Sequence, residues 1–207
     1  MLILMIECLK QVGLRSFKIS LGHVGFFKGL LVRAGLSPAG QKRAEQAAAR
    51  KDLPRLQEIL SGERVASRYA TSILEAPELC GQAEVLARGR TLAKGDRSAL
   101  QALARLTMVY ETLCKAGYQG VFILDLGEFR GFDYYDGVVF DVLAEGVGVE
   151  LGGGGRYDHL IGRFGRNIPS TGFALNVDRL FRGLQAQSSA SVVGADASKR
   201  IRKGSKR

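Results

Sequence analysis

Three segments decide how this chain reads: Arg130-Gly131-Phe132-Asp133-Tyr134-Tyr135, then Gly152-Gly153-Gly154-Gly155-Arg156-Tyr157-Asp158, then Gly172-Phe173-Ala174-Leu175-Asn176-Val177-Asp178-Arg179-Leu180. They place two arginines, a tyrosine pair, a glycine run and a strand-to-helix junction close together, more polar and glycine chemistry than a core requires. Between the first two, residues 135–143 alternate: Val138, Phe140 and Val142 share one face, with Val139 and Asp141 on the other. Gly146 supplies a turn and residues 147–151 read as the returning hairpin partner. Residues 156–161 open a short helix, 170–177 form the last strand, and Asp178 starts the last helix. Strands joined by hairpins imply a largely antiparallel sheet.

Working back from this stretch, residues 121–126 are apolar on both faces, the pattern of a central strand. Before them a helix starting near Asp96 or Ser98 presents Leu100, Leu103, Leu106 or Thr107, Tyr110, Leu113 and Cys114, and Gly117 closes it. Pro77, Gly81, Gly89 and Gly95 break the preceding stretch into short helices. Ser37-Pro38 is a cap with proline at the first helical position. Asp52 with Pro54 opens another helix, ending near Gly62. Residues 26–34 form a helix ending at Gly35, Phe17-Lys18-Ile19-Ser20-Leu21 alternates as a half-buried strand, and residues 2–12 have helical spacing with Gly13 as the stop. The fold class is therefore α+β. A mixed sheet carries a helical insertion over about 38–95 within a core spanning 1–186, and a polar, basic, disordered tail covers 187–207.

Composition narrows the function. A chain of 207 residues supports one good core, and 46% apolar with 24% charged residues is ordinary for a globular protein. No apolar run reaches the roughly 18–20 residues of a membrane span. Cys8, Cys80 and Cys114 are odd in number and far apart, and with only His23 and His159 beside them they make neither a disulfide framework nor a zinc site. A cytoplasmic location follows from that cysteine usage. The net charge of +10 owes six units to Lys199, Arg200, Arg202, Lys203, Lys206 and Arg207, so the basicity is largely a property of the tail, and no nucleic-acid partner is expected of the core.

The chemistry stays open on the residues alone. Four glycines expose backbone that can lie against a ligand, or mark a bulge or strand exit. Arg130 can grip a carboxylate or phosphate, or pair with Asp133 or Asp125. Tyr134 and Tyr135, if extended, face opposite sides, so at most one lines a pocket. Arg179 lies in a first helical turn, where it holds a phosphate with the helix N-terminus or is neutralised by Asp178. His23 and His159 have no nucleophile or metal partner at readable spacing. The residues point to a polar pocket for a small anion or amino acid.

The same segments resemble a known family. Arg130 to Tyr135, followed by Gly137 and Val139-Phe140-Asp141, is similar to the histidine-recognition segment of class II histidyl-tRNA synthetases. Gly154-Gly155-Arg156-Tyr157-Asp158 resembles their glycine-rich strand and turn, and Pro169-Ser170-Thr171-Gly172-Phe173-Ala174 through Arg179-Leu180 resembles class II motif 3. The resemblance implies a six-stranded antiparallel sheet flanked by helices. It implies a histidine site with Arg130 near the carboxylate and Tyr135 and Tyr157 beside the imidazole, and with Tyr134, Gly154 and Gly155 among its binding residues. Arg179 becomes the remnant of an ATP-phosphate site.

The chain departs from that pattern in lacking motifs 1 and 2, in carrying Asp136 where a threonine is usual, and in reading Leu175-Asn176-Val177-Asp178 within motif 3. A sister group fits better, the regulatory subunits of ATP phosphoribosyltransferase. Ser20-Leu21-Gly22-His23-Val24-Gly25 resembles its Asp-Leu-Gly-His-Val-Gly segment, and Lys51-Asp52-Leu53-Pro54 resembles its helical insertion. That resemblance implies a non-catalytic subunit without cofactor or catalytic residues. Its partner is the short-form catalytic subunit in a hetero-oligomer with some self-association, and it serves the first step of histidine biosynthesis and its allosteric regulation by histidine. A fragment of a histidine–tRNA ligase is the alternative. Starting partway through the family's domain, the chain is expected to be a fragment or a truncated product.

Overall fold

The computed structural model describes residues 1–128 and 134–189. Its elements are α1 (Leu2–Gln11), β1 (Phe17–His23), α2 (Val24–Arg33), α3 (Pro38–Ala49), α4 (Leu53–Gly62), α5 (Ser67–Glu75), β2 (Cys80–Gly81), α6 (Glu84–Leu92), α7 (Arg97–Lys115), β3 (Phe122–Asp125), β4 (Val138–Ala144), β5 (Gly152–Arg156) and β6 (Thr171–Leu175). A final helix, α8, covers 177–189, running on past the point where composition placed the start of the tail; residues 190–207 lie outside the described residues.

Six strands hydrogen-bond in the order β2-β3-β1-β4-β5-β6. β1 and β3 are parallel, with Ile19 opposite Phe122 and Leu21 opposite Leu124, whereas β2 runs antiparallel to β3. The bonds Asp136 N to Arg156 O and Leu151 N to Val142 O step in opposite directions along the two chains, so β4 and β5 are antiparallel. Tyr157 N to Ser170 O and Asn176 N to Leu151 O show the same for β5 and β6. Three of these pairs are thus antiparallel and one is parallel, the parallel pair being made by strands that helices α2 to α7 separate in sequence.

The residues divide between two compact units. The larger comprises Ile19–Phe140 and Gly154–Gly172. Its helices start where local chemistry says they should: Ser37 Oγ accepts from Gly40 N at 3.0 Å and Asp52 Oδ1 from Arg55 N at 3.0 Å. At the end of α2, Gly35 takes φ 80°, and Gly35 N and Leu36 N reach the carbonyls of Val32 and Leu31, the αL cap that a residue with a Cβ resists. α7 buries Ala99, Ala102, Leu103, Leu106, Thr107, Tyr110 and Leu113. Leu100, expected on that face, is instead exposed, one residue round the helix from Ala99, which packs closely on α2: a Cβ on Gly29 would stand 2.9 Å from Ala99 N. Lys51, at φ 55°, bonds Pro77 O and lies 3.3 Å from Asp125, fastening the α3–α4 corner to the end of β3.

The smaller unit comprises Met1–Lys18, Asp141–Gly153 and the chain from Phe173. Met5, Ile6 and Leu9 form the buried face of α1. Gln187 on α8 accepts from Arg15 N at 2.9 Å and Ser16 N at 3.2 Å and donates to Ser16 O at 2.7 Å, so one side-chain amide completes the backbone bonding of a whole turn. Gly183 leaves room for Leu14, Ala144 and Val147.

One strand differs from expectation. Residues 147–150 are turn and irregular chain, and the hairpin partner of β4 is the glycine run itself. Glycine is a poor strand former, but a Cβ on Gly152 would come within 2.2 Å of Ala174 O and 2.7 Å of Leu175 Cα. The approach of β6 therefore demands the residue that propensity argues against. The run is neither a bulge nor a strand exit.

Candidate functional site

In the larger unit the ends of β4, β5 and β6 bring three tyrosines together. Tyr134 and Tyr135 have ring centroids 4.4 Å apart and hydroxyl oxygens 3.3 Å apart. Tyr157 meets Tyr134 edge-on at 5.6 Å and Tyr135 at 6.0 Å. The expectation that the tyrosine pair faces opposite ways does not hold: residues 134–136 are turn and irregular chain, so the strand's alternation does not apply to them.

Two glycines make the cluster possible. A Cβ on Gly155 would lie 2.7 Å from Tyr135 Cδ1 and 2.8 Å from Val138 O, and one on Gly172 would lie 2.6 Å from the Tyr157 hydroxyl. Both rings rest where side chains would otherwise stand, and Gly154 beside them is buried. Thr171 Oγ1 donates to Gly155 O at 3.0 Å, tying β6 to this point. The need for Gly172 was not read from the sequence, where it stood only as part of a motif.

Asp136 turns its carboxylate to the backbone. It accepts from Asp158 N and His159 N at 3.1 Å each and stands 2.7 Å from His159 Nδ1. Burial pushes this carboxyl up, but the Asp158 amide and the His159 side chain and amide more than offset that and hold it below the usual aspartate range. Asp158 in turn takes Arg156 Nε at 2.8 Å and Ser170 N at 3.2 Å. The substitution at 136 thus builds the turn after β5. His159 is exposed, and with Asp136 it belongs to this turn.

His23 ends β1 and caps α2, its Nδ1 accepting from Gly25 N at 3.1 Å. An accepting Nδ1 leaves the proton on Nε2, and among the described residues that buried Nε2 has no partner. Burial, aided by Arg105, lowers its pKa to about 4 against an opposing pull from Asp136. His23, Arg105 and Asp136 form an electrostatic group that sequence spacing did not disclose.

Arg179 lies in the smaller unit. Its guanidinium holds Glu150 through the carbonyl at 2.9 Å and the carboxylate at 2.6 Å, while its amide is capped by Asn176 Oδ1 at 3.0 Å. Neutralisation comes from Glu150 where the sequence offered Asp178. Arg130 lies outside the described residues.

Comparison with known proteins gives this arrangement its kinship. The histidyl-tRNA synthetase family model matches residues 1–180. An ATP phosphoribosyltransferase regulatory subunit of Geobacter metallireducens is 37% identical over 185 residues, 89% of this chain and 42% of that protein. One from Desulfitobacterium hafniense is 36% identical over 202 residues, 96% of this chain and 52% of that protein. A solved structure from Bacillus halodurans, described as an ATP phosphoribosyltransferase regulatory subunit/histidyl-tRNA synthetase, matches with a TM-score of 0.81 at 30% identity, covering 87% of this chain and 47% of that one. The chain spans about half the length of the curated relatives it matches. The class II synthetase-like fold expected from the motifs is the fold these neighbours share. By sequence and by structure, this chain belongs to the histidyl-tRNA synthetase family, and the curated relatives it matches within that family are named as regulatory subunits of ATP phosphoribosyltransferase.

Proposed function

We propose that this chain carries the histidine-sensing part of a non-catalytic regulatory subunit of ATP phosphoribosyltransferase, acting in the cytoplasm in the first step of histidine biosynthesis. The observation that carries the reading is the convergence of Tyr134, Tyr135 and Tyr157 over the Cβ-free Gly155, in a chain whose curated relatives bear that name. Three hydroxyls and three ring faces suit an imidazole, which offers both a flat face and a hydrogen-bonding edge. Arg130 is assigned to the ligand's carboxylate. The partner is the short-form catalytic subunit, in a hetero-oligomer. Feedback then requires histidine to favour one state of the complex, typically by about 1–3 kcal/mol.

A second reading, part of a histidine–tRNA ligase, draws on the description of the family model itself. Against it stands Arg179, the residue assigned to ATP phosphates, whose guanidinium is occupied by Glu150. Mixing the protein with its native catalytic subunit separates the two. The regulatory reading expects phosphoribosyl transfer to rise from a low baseline and histidine to suppress it, with Tyr157→Ala blunting the suppression about tenfold in histidine concentration. Unchanged transfer, together with histidine-dependent ATP–pyrophosphate exchange, would establish the ligase reading instead.

A further inference from the structure

A cleft lies among the helices of the larger unit, lined by none of the three tyrosines. α2, α5, α6 and the loop after α6 enclose a cleft of about 210 Å³ lined by Arg33, Arg68, Tyr69, Ser72, Thr91 and Lys94 over a floor of leucines. Every charge on its lining is positive. Ion pairs elsewhere in this helical region use other residues: Arg43 on α3 with Glu63, Arg55 on α4 with Glu58, Arg88 on α6 with Glu75. Glu63, which follows α4, and Glu75, which ends α5, are therefore engaged by arginines that do not line the cleft. No described carboxylate forms an ion pair with Arg33, Arg68 or Lys94.

The two guanidiniums are held without being neutralised. Arg33 and Arg68 stand 5.2 and 4.7 Å from the centroid of the same Tyr69 ring, within the reach of a cation–π contact. Arg33 donates one N–H to Lys94 O, which leaves most of its five donors. Like charges gathered in a hollow work against the folded chain, and a fold keeps such an arrangement where an anion offsets it. Planar guanidiniums match the oxygens of a phosphate, a lysine adds a point charge, and the hydroxyl of Ser72 adds a short-range donor, whereas that of Thr91 donates to Ala87 O at 3.3 Å. The hollow is concave and small, which fits a compact ligand better than the acidic face of a protein.

We propose that this cleft binds a small phosphorylated molecule, with Arg33, Arg68 and Lys94 as its phosphate ligands. The test is calorimetry on the full chain at low ionic strength with inorganic phosphate and glycerol 3-phosphate as probes. Saturable binding is expected, weakened about tenfold by Lys94→Gln and further by Arg33→Gln with Arg68→Gln, while Arg55→Gln leaves it unchanged. Lys94 is exposed and makes no side-chain bond among the described residues, so its variant keeps the test valid if the double arginine variant folds poorly. Absence of saturable binding, or equal loss in Arg55→Gln, overturns the proposal. Co-sedimentation with phosphatidylglycerol vesicles in place of the free probes would also overturn it, by moving the same chemistry to a lipid headgroup.

Discussion

His23 shows how one side chain can serve two demands. As a cap it needs an accepting Nδ1, and as a buried ring it must stay neutral; both hold only while the imidazole is unprotonated. Its folded pKa of about 4 lies below the ordinary histidine value, so the unfolded chain binds the proton more readily. Stability from this group is complete above about pH 6.5 and drains away as pH falls towards 4, by up to about 3 kcal/mol. Urea melts between pH 7.5 and 4.5 should show that loss, and His23→Asn, which can still cap, should flatten it. A slope unchanged by the substitution would assign the acid sensitivity to other groups. Asp136, held low, loses its own contribution only at more acidic pH, and so does not blur this window.

At the scale of elements, the caps were legible in the sequence and the glycine strand was not. Ser37, Asp52 and Asp96 act on amides two or three residues away, so their effect is written in adjacent letters. Asp96 does most: one oxygen accepts from Ser98 N, Ala99 N and Ser98 Oγ at the head of the longest helix among the described residues. Asp96→Ala should cost about 1–2 kcal/mol by chemical denaturation with an unchanged denaturant slope, and Asp96→Asn less. β5, by contrast, is a strand because β6 and Tyr135 press against it, and neither pressure is local. The candidate site divides the same way. Its tyrosines and glycines were recognisable as a motif, whereas the Asp136 turn, the Arg179–Glu150 pair and the orientation of Tyr134 depend on residues distant in sequence or on a local departure from strand geometry.

At the scale of the whole molecule, the two units make the pocket assignment measurable. The tyrosine cluster belongs to the larger unit, so histidine at about a hundred times its Kd should slow hydrogen exchange there, around Arg156, Tyr157 and Thr171, by as much as about a hundredfold. Amides of α1 should exchange at their unliganded rates. Protection centred on α1 and α8 instead would remove histidine from the tyrosine site.

The Gln187 contacts have a consequence for biosynthesis. They join positions 172 residues apart, in a unit whose three segments come from the start, the middle and the far end of the described chain. At about 5–20 residues per second, α1 leaves the ribosome roughly ten to thirty seconds before the glutamine that completes its turn. The whole of the larger unit is translated in that interval. During it the turn that follows α1 waits without the side chain that completes its backbone bonding, which makes this turn the place where a nascent-chain chaperone has the longest opportunity.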